Sequence, residues 1–209
     1  MRIGLDFDNT IACYEQVFYS VALEMGLIPD TVDKTKLAVR TYFRETGQED
    51  TWTELQGLVY GNRMDATPPY PAVLKTLRWF ADHDLDICII SHKTKHPYQG
   101  PKFDLHASAS NWINSTLRDS TGLPVSHDKV YFLETNAEKI TKIAKMECDV
   151  YIDDLPEILL DSNFPSSTQR ILFDPGYAHK TKALNSSISY CARSWQDIQK
   201  HIQSLIAVS

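Results

Sequence analysis

At 209 residues the chain is long enough for one well-buried core plus a modest inserted subdomain, and too short for two full-sized domains of about 100 to 200 residues each. Its composition, 43% hydrophobic, 11% aromatic and 23% charged, is that of an ordinary folded soluble protein. A formal net charge of -6 gives no basic footprint for nucleic acid, so a polynucleotide partner is disfavoured.

The first residues, Met1-Arg2-Ile3-Gly4-Leu5, meet two aspartates almost at once and lack the apolar stretch of a signal peptide. No later apolar run approaches the roughly 18 residues of a membrane span, and a cytoplasmic, membrane-free protein is the expectation. Cys13, Cys88, Cys148 and Cys191 are scattered and form no CxxC pair, so they read as free core residues rather than as a disulfide or thiolate framework.

In chain order, residues 3–7 form a short apolar run that predicts a buried strand, ending in Asp6-Phe7-Asp8-Asn9-Thr10. Residues 14–68 contain no strand pattern and predict three helices, over 14–25, 33–46 and 51–60. The cluster Pro68-Pro69-Tyr70-Pro71 disfavours helix before its last proline, and Pro71 can open the helix over 72–82. Strands follow over 87–90, 130–133, 150–152 and 170–173, with a weaker one over 188–191. Between them fall helices over 107–118 and 137–146, a start at Leu155-Pro156-Glu157, and a final helix over 195–206. Alternating strands and helices predict an α/β fold, a parallel sheet covered on both faces in three Rossmann-like layers. The expected organisation is an α/β core of residues 1–13 and 69–209, with 14–68 as a small helical cap inserted after the first strand.

Ligands of an open α/β sheet sit outside the carboxyl ends of its strands. There the sequence supplies Asp6, Asp8 and Thr10 after one strand, Ser91, His92 and Lys93 after another, and Asp153 and Asp154 after a third. Four converging carboxylates repel each other. A divalent cation relieves that repulsion, and a set of oxygen donors without His or Cys suits Mg²⁺. A phosphate could then take an open position, neutralised further by a lysine. Thr135 and Glu138 have capping-box spacing, which puts Lys139 in the first turn of a helix; Lys142 is its rival.

These residues resemble the motifs of the haloacid dehalogenase superfamily of phosphohydrolases: Asp6-Phe7-Asp8-Asn9-Thr10 for DxDxT, Ile89-Ile90-Ser91 for the strand ending in a hydroxyl, Lys139, and Ile152-Asp153-Asp154 for the acidic pair, in the family's order. The resemblance covers the core, about 150 residues, and says little about the cap. It implies a magnesium-dependent phosphate-monoester hydrolase. Asp6 would be the nucleophile, Asp8 the proton shuttle, Ser91 and Lys139 the phosphate-orienting groups, and Asp6, the backbone carbonyl of Asp8, Asp153 and Asp154 the metal ligands. An aspartate at Asp8 favours phosphoryl chemistry over dehalogenation, because a halide leaving group needs no proton. The inserted helices look similar to deoxyribonucleotidase-like members, so a nucleotide is one substrate class and a phosphosugar another.

Asp153 and Asp154 could also serve the start of the next helix, and Thr10 could be a helix cap. Residues 92–102, with His92 and Lys93 nearest the chemistry, read as a substrate loop or as a solvated basic loop. Arg40 and Arg44 share a helix face and could meet a distal anion, His179 lies near the active edge, and the four tryptophans read as packing residues. Two other classes share the chemistry: a phospho-accepting receiver-like signalling module, in which the acidic pair would follow the first strand, and a catalytically inactive binding protein on the same fold.

Overall fold

The computed structural model describes residues 1–178 and 187–207. Among them six strands form one sheet: β1 (Arg2–Leu5), β2 (Asp86–His92), β3 (Val130–Leu133), β4 (Val150–Asp153), β5 (Gln169–Phe173) and β6 (Tyr190–Ala192). Their order is β3-β2-β1-β4-β5-β6, with every pairing parallel. The chain falls into two compact units, the first made of Met1–Ile11, Pro69–His92 and Asp119–Ser209, the second of Ala12–Pro68 and Lys93–Arg118.

The first unit contains the sheet. Parallel strands need crossovers, and α4 (Val73–Asp82), α6 (Asn136–Lys145), α7 (Pro156–Leu159) and α8 (Trp195–Ile206) belong to this unit. Side chains alternate along each strand. Cys88, Ile90, Tyr151 and Leu172 therefore form one core layer with Ile140 and Ile143 of α6 and Ile158 and Leu159 of α7. The opposite face carries Phe173, whose ring lies 6.1 Å from that of Trp195 in α8. Thr76 of α4 donates to the Trp195 carbonyl at 3.3 Å. The expected three-layer α/β arrangement is present. Pro71 does not open α4: Ala72 adopts a left-handed φ of 67°, and this turn delays the helix to Val73. Cys88 and Cys148 are neighbouring free thiols in the core, 3.8 Å apart.

In the second unit, α1 (Val17–Glu24), α2 (Lys36–Glu45) and α3 (Glu49–Tyr60) correspond to the three helices expected between 14 and 68. Phe18 lies 4.9 Å from Trp52 and 5.6 Å from Tyr60, ring to ring. This unit also takes in residues 93–118 with α5 (Leu105–Thr116), a stretch expected from the sequence to lie in the α/β part. The physical reason is twofold. α5 buries Leu105, Ala109, Trp112 and Ile113, and the Trp112 indole donates to the Thr67 carbonyl at 2.7 Å. Gly57 and Gly61 supply the second cause, because a Cβ at either would stand 2.7 Å from Pro97 or Phe103 respectively. Bare backbone on α3 thus gives the loop of residues 93–104 a surface to lie on. No helix among the described residues is long and apolar enough to cross a membrane.

Candidate active site

Register brings the acids together. Leu5 pairs with Ile152 of β4 and with Ile89 of β2, and the Asp6 N–H extends the ladder to the Ile152 carbonyl at 2.9 Å. Asp6 therefore leaves the sheet beside Asp153, at the carboxyl edge. The strand order reverses direction between β1 and β4, the place where a doubly wound sheet opens a crevice for ligands. Beyond Asp6 the chain turns sharply: Asn9 takes a φ of 57°, a conformation asparagine tolerates, and Ile11 N–H bonds back to the Phe7 carbonyl at 2.9 Å.

Asp6 is buried, and its Oδ1 accepts from Ser91 Oγ at 2.9 Å and from Lys139 Nζ at 2.7 Å. The lysine reaches it because Thr135 and Glu138 close a reciprocal capping box at the start of α6, leaving Lys139 on the buried face of the first turn, 1% exposed. Its ammonium also lies 2.6 Å from Asp153 Oδ2. That contact is a close ion pair between two buried groups. Asp153 Oδ1 accepts from the Leu155 N–H at 2.9 Å. Asp153 thus braces the turn ahead of α7 while facing the site. Lys142 instead sits 4.0 Å over the Tyr131 ring, away from Asp6.

Electrostatics follow from this packing. Burial alone would lower the pKa of Lys139, but the charges of Asp153 and Asp6 outweigh it and hold the ammonium protonated well above its usual range. Asp153 moves the other way from a typical carboxylate: burial raises its pKa, Lys139 opposes the rise, and Asp6 adds to it. One lysine does not neutralise the acids around it. One carboxylate oxygen from each of Asp6, Asp153 and Asp154 lies within 4.8 Å of the others, an all-oxygen set that fits a hard divalent cation. The Asp8 side chain is half-buried and does not join that group; its expected contribution was its backbone carbonyl.

Thr10 is buried; its hydroxyl lies at the long distance of 3.5 Å from Asp154 Oδ1, and its carbonyl accepts from the Trp195 indole at 3.0 Å. His92 is exposed at the end of β2 and donates through Nε2 to the Glu134 carbonyl at 3.0 Å. Lys93 belongs to the second unit, where its ammonium lies 4.8 Å from the centroid of Tyr60. Arg44 is exposed and pairs with Glu49 at 3.2 Å, and Arg40 is exposed. His179 lies outside the described residues. Sequence reasoning missed Tyr151, a fully buried ring whose centroid lies 5.8 Å from Lys139 Nζ and whose hydroxyl donates to the Ile90 carbonyl. The only signal was a polar-tipped residue within an apolar strand.

No sequence-family profile and no curated protein matches the chain. Solved structures do. A HAD hydrolase of family IA from Entamoeba histolytica superposes with a TM-score of 0.58 at 10% identity, covering 94% of both chains. A phosphoserine phosphatase, solved as a phospho-aspartyl intermediate analogue, gives 0.53 at 16% identity over 96% of this chain and 97% of its own. A HAD hydrolase from Bacillus subtilis bound to magnesium gives 0.53 at 11% identity, covering 96% and 97%. At these identities the likeness is one of fold, that of haloacid dehalogenase superfamily hydrolases.

Proposed function

We propose that the chain hydrolyses the phosphate monoester of a small metabolite through an aspartyl-phosphate formed on Asp6. The observation that carries this reading is the buried Asp6 carboxylate, oriented by Ser91 and Lys139 through one oxygen and flanked by Asp153 and Asp154. With Oδ1 held by two donors, Oδ2 is the atom assigned to attack. It forms a bond to phosphorus as the bond from phosphorus to the leaving oxygen breaks, and the Asp8 carboxyl gives that oxygen its proton. Water then attacks phosphorus, its proton passes to the Asp8 carboxylate, and the bond to Asp6 breaks, releasing inorganic phosphate. Lys139 and Ser91 keep the nucleophile in line and stabilise charge on the phosphoryl oxygens.

Asp6, Asp153 and Asp154, with the Asp8 backbone carbonyl, would hold Mg²⁺, which supplies counter-charge to the phosphate when bound. The fold shared with a phosphoserine phosphatase and with a magnesium-bound hydrolase supports both parts of this reading. The strand order β3-β2-β1-β4-β5-β6 argues against the receiver-like alternative, since that fold runs 2-1-3-4-5. A nucleotide or a phosphosugar is the substrate class we infer. The direct test is hydrolysis of an aryl phosphate with Mg²⁺, which chelator and Asp6→Asn should each abolish; full activity in Asp6→Asn protein would remove Asp6 as nucleophile.

A further inference from the structure

Trp52, Trp112 and Trp195 are buried, as expected of packing residues, but Trp79 stays half-exposed on α4. The helix commits Val73, Thr76, Leu77 and Phe80 to the interior. The helical repeat therefore turns Lys75, Arg78, Trp79 and Asp82 to its other side. With Leu74 and Asp119 these residues line an open depression of about 590 Å³.

The two largest side chains of this face are held in place. Arg78 donates to both carboxylate oxygens of Asp119, at 2.8 and 3.1 Å, and to the Gly122 carbonyl at 2.7 Å. The His83 ring lies 4.0 Å from that of Trp79, tilted by 31°, and its Nδ1 donates to the Trp79 carbonyl at 2.9 Å. Side chains fixed in advance lose little freedom when a partner arrives, and Trp and Arg are the types that dominate interface energetics. Beside them, Lys75 and Asp82 are both exposed and, among the described residues, in no ion pair.

The charges fit a second copy of the same face. Lys75 and Asp82 are about two turns apart, and the midpoint between them falls between Arg78 and Trp79. A two-fold axis through that midpoint sets two α4 helices antiparallel, and residues equidistant from it meet. Lys75 of each copy then faces Asp82 of the other, Arg78 faces Trp79, and Leu74 faces the His83 ring. Each Arg78 guanidinium, its N–H edge already on Asp119, keeps a flat face to lay on the opposing indole. Parallel helices would set lysine on lysine and aspartate on aspartate, so the charges select the antiparallel arrangement.

We propose that the chain self-associates through α4 as an antiparallel two-fold dimer, with Arg78 and Trp79 at its centre and reciprocal ion pairs between Lys75 and Asp82 at its ends. One ten-residue helix is ~15 Å long and supplies less than the roughly 800 Å² per partner of a standard stable interface. The dimer is therefore weak, with a dissociation constant on the order of 10–100 μM. It stands apart from the hydrolase reading, since none of these residues belongs to that chemistry.

Sedimentation equilibrium of the full-length protein from about 1 to about 500 μM tests the proposal. A concentration-dependent equilibrium between monomer and dimer is expected. Trp79→Ala should weaken it about tenfold or more. Lys75→Glu and Asp82→Lys should each do the same, because the axis makes every reversal count twice. The decisive protein carries both reversals: it rebuilds the two ion pairs with their signs exchanged, and its dimerisation should return to within about threefold of the parent. The charge variants change exposed side chains and decide the matter if Trp79→Ala does not fold. A chain that stays monomeric throughout this range overturns the proposal. So does a dimer unchanged by the single reversals or by folded Trp79→Ala, and so does a double reversal that fails to restore what the single ones lose.

Discussion

Lys139 Nζ stands 2.7 Å from Asp6 Oδ1 across 133 residues of chain, with both side chains almost wholly removed from solvent. A buried ion pair contributes little over an apolar replacement, but removing one partner leaves an uncompensated buried charge. Lys139→Met leaves Asp6 and Asp153 facing each other with no cation, and is expected to lose about 3–5 kcal/mol of stability together with aryl phosphate hydrolysis. Urea denaturation measures the first. Lys142→Met, which removes only a stem and charge lying over Tyr131, should stay within about 1 kcal/mol of the parent and keep its activity. Reversed effects in the two variants would assign the active-site lysine to Lys142.

Proton linkage at Asp153 gives a second expectation. Burial, opposed by Lys139 and reinforced by Asp6, pushes its pKa up to about 7 in the metal-free protein. A cation binds the carboxylate and not the carboxylic acid. Magnesium affinity should therefore rise between pH 6 and pH 8, with protons released on binding, seen as a dependence of calorimetric enthalpy on buffer ionisation. The sign for stability is the reverse of a salt-bridged aspartate's. The folded pKa lies above the unfolded value of about 4, so this group's contribution to metal-free stability declines as pH climbs from that value toward 7. Lys139, whose folded pKa is raised, keeps its contribution through this window. Proton uptake on magnesium binding would contradict the assignment.

The parts legible in the sequence are those set locally or by simple periodicity. All six strands announce themselves as short apolar runs, and Thr135-Glu138 identifies the start of α6 before any fold is known. Convergence of Asp6, Ser91 and Asp153 follows once parallel strands are assumed, because each residue ends a strand. What the letters do not carry is tertiary choice. The Thr135-Glu138 spacing favours Lys139 over its rival Lys142, but only the fold shows that it is the one buried against Asp6. Pro71 has the right chemistry to open a helix, yet a left-handed Ala72 intervenes. Lys93 follows Ser91 by two residues and reads as part of the same edge, but nothing in the letters tells that its ammonium lies 4.8 Å from the Tyr60 ring or that its carbonyl accepts from His106.

Asp8 separates chemistry from folding more cleanly than Asp6 does. Its side chain is half-buried, so Asp8→Asn should leave the thermal midpoint nearly unchanged while lowering turnover by roughly 10²–10⁴-fold, the usual range for a positioned acid–base group. The loss should deepen as the leaving phenol becomes more basic, since only a poor leaving group needs the proton. A series of substituted aryl phosphates measures that slope. An unchanged slope with a collapsed magnesium affinity would make Asp8 a ligand only.

Gly57 tests why residues 93–118 belong with the inserted helices. A Cβ there would stand 2.7 Å from Pro97 Cβ and 2.9 Å from its Cγ, against a ring that has no rotamer to move out of the way. Alanine is the better helix former by about 0.5–1 kcal/mol, so propensity alone predicts that Gly57→Ala stabilises α3. Overpacking opposes this with a typical cost of about 1–3 kcal/mol. The steric cost should exceed the gain in helix propensity, giving a net loss of about 1–2 kcal/mol. A thermal midpoint raised by Gly57→Ala would show that the loop yields freely, and that the close approach of α3 and Pro97 is not what ties residues 93–104 to the second unit.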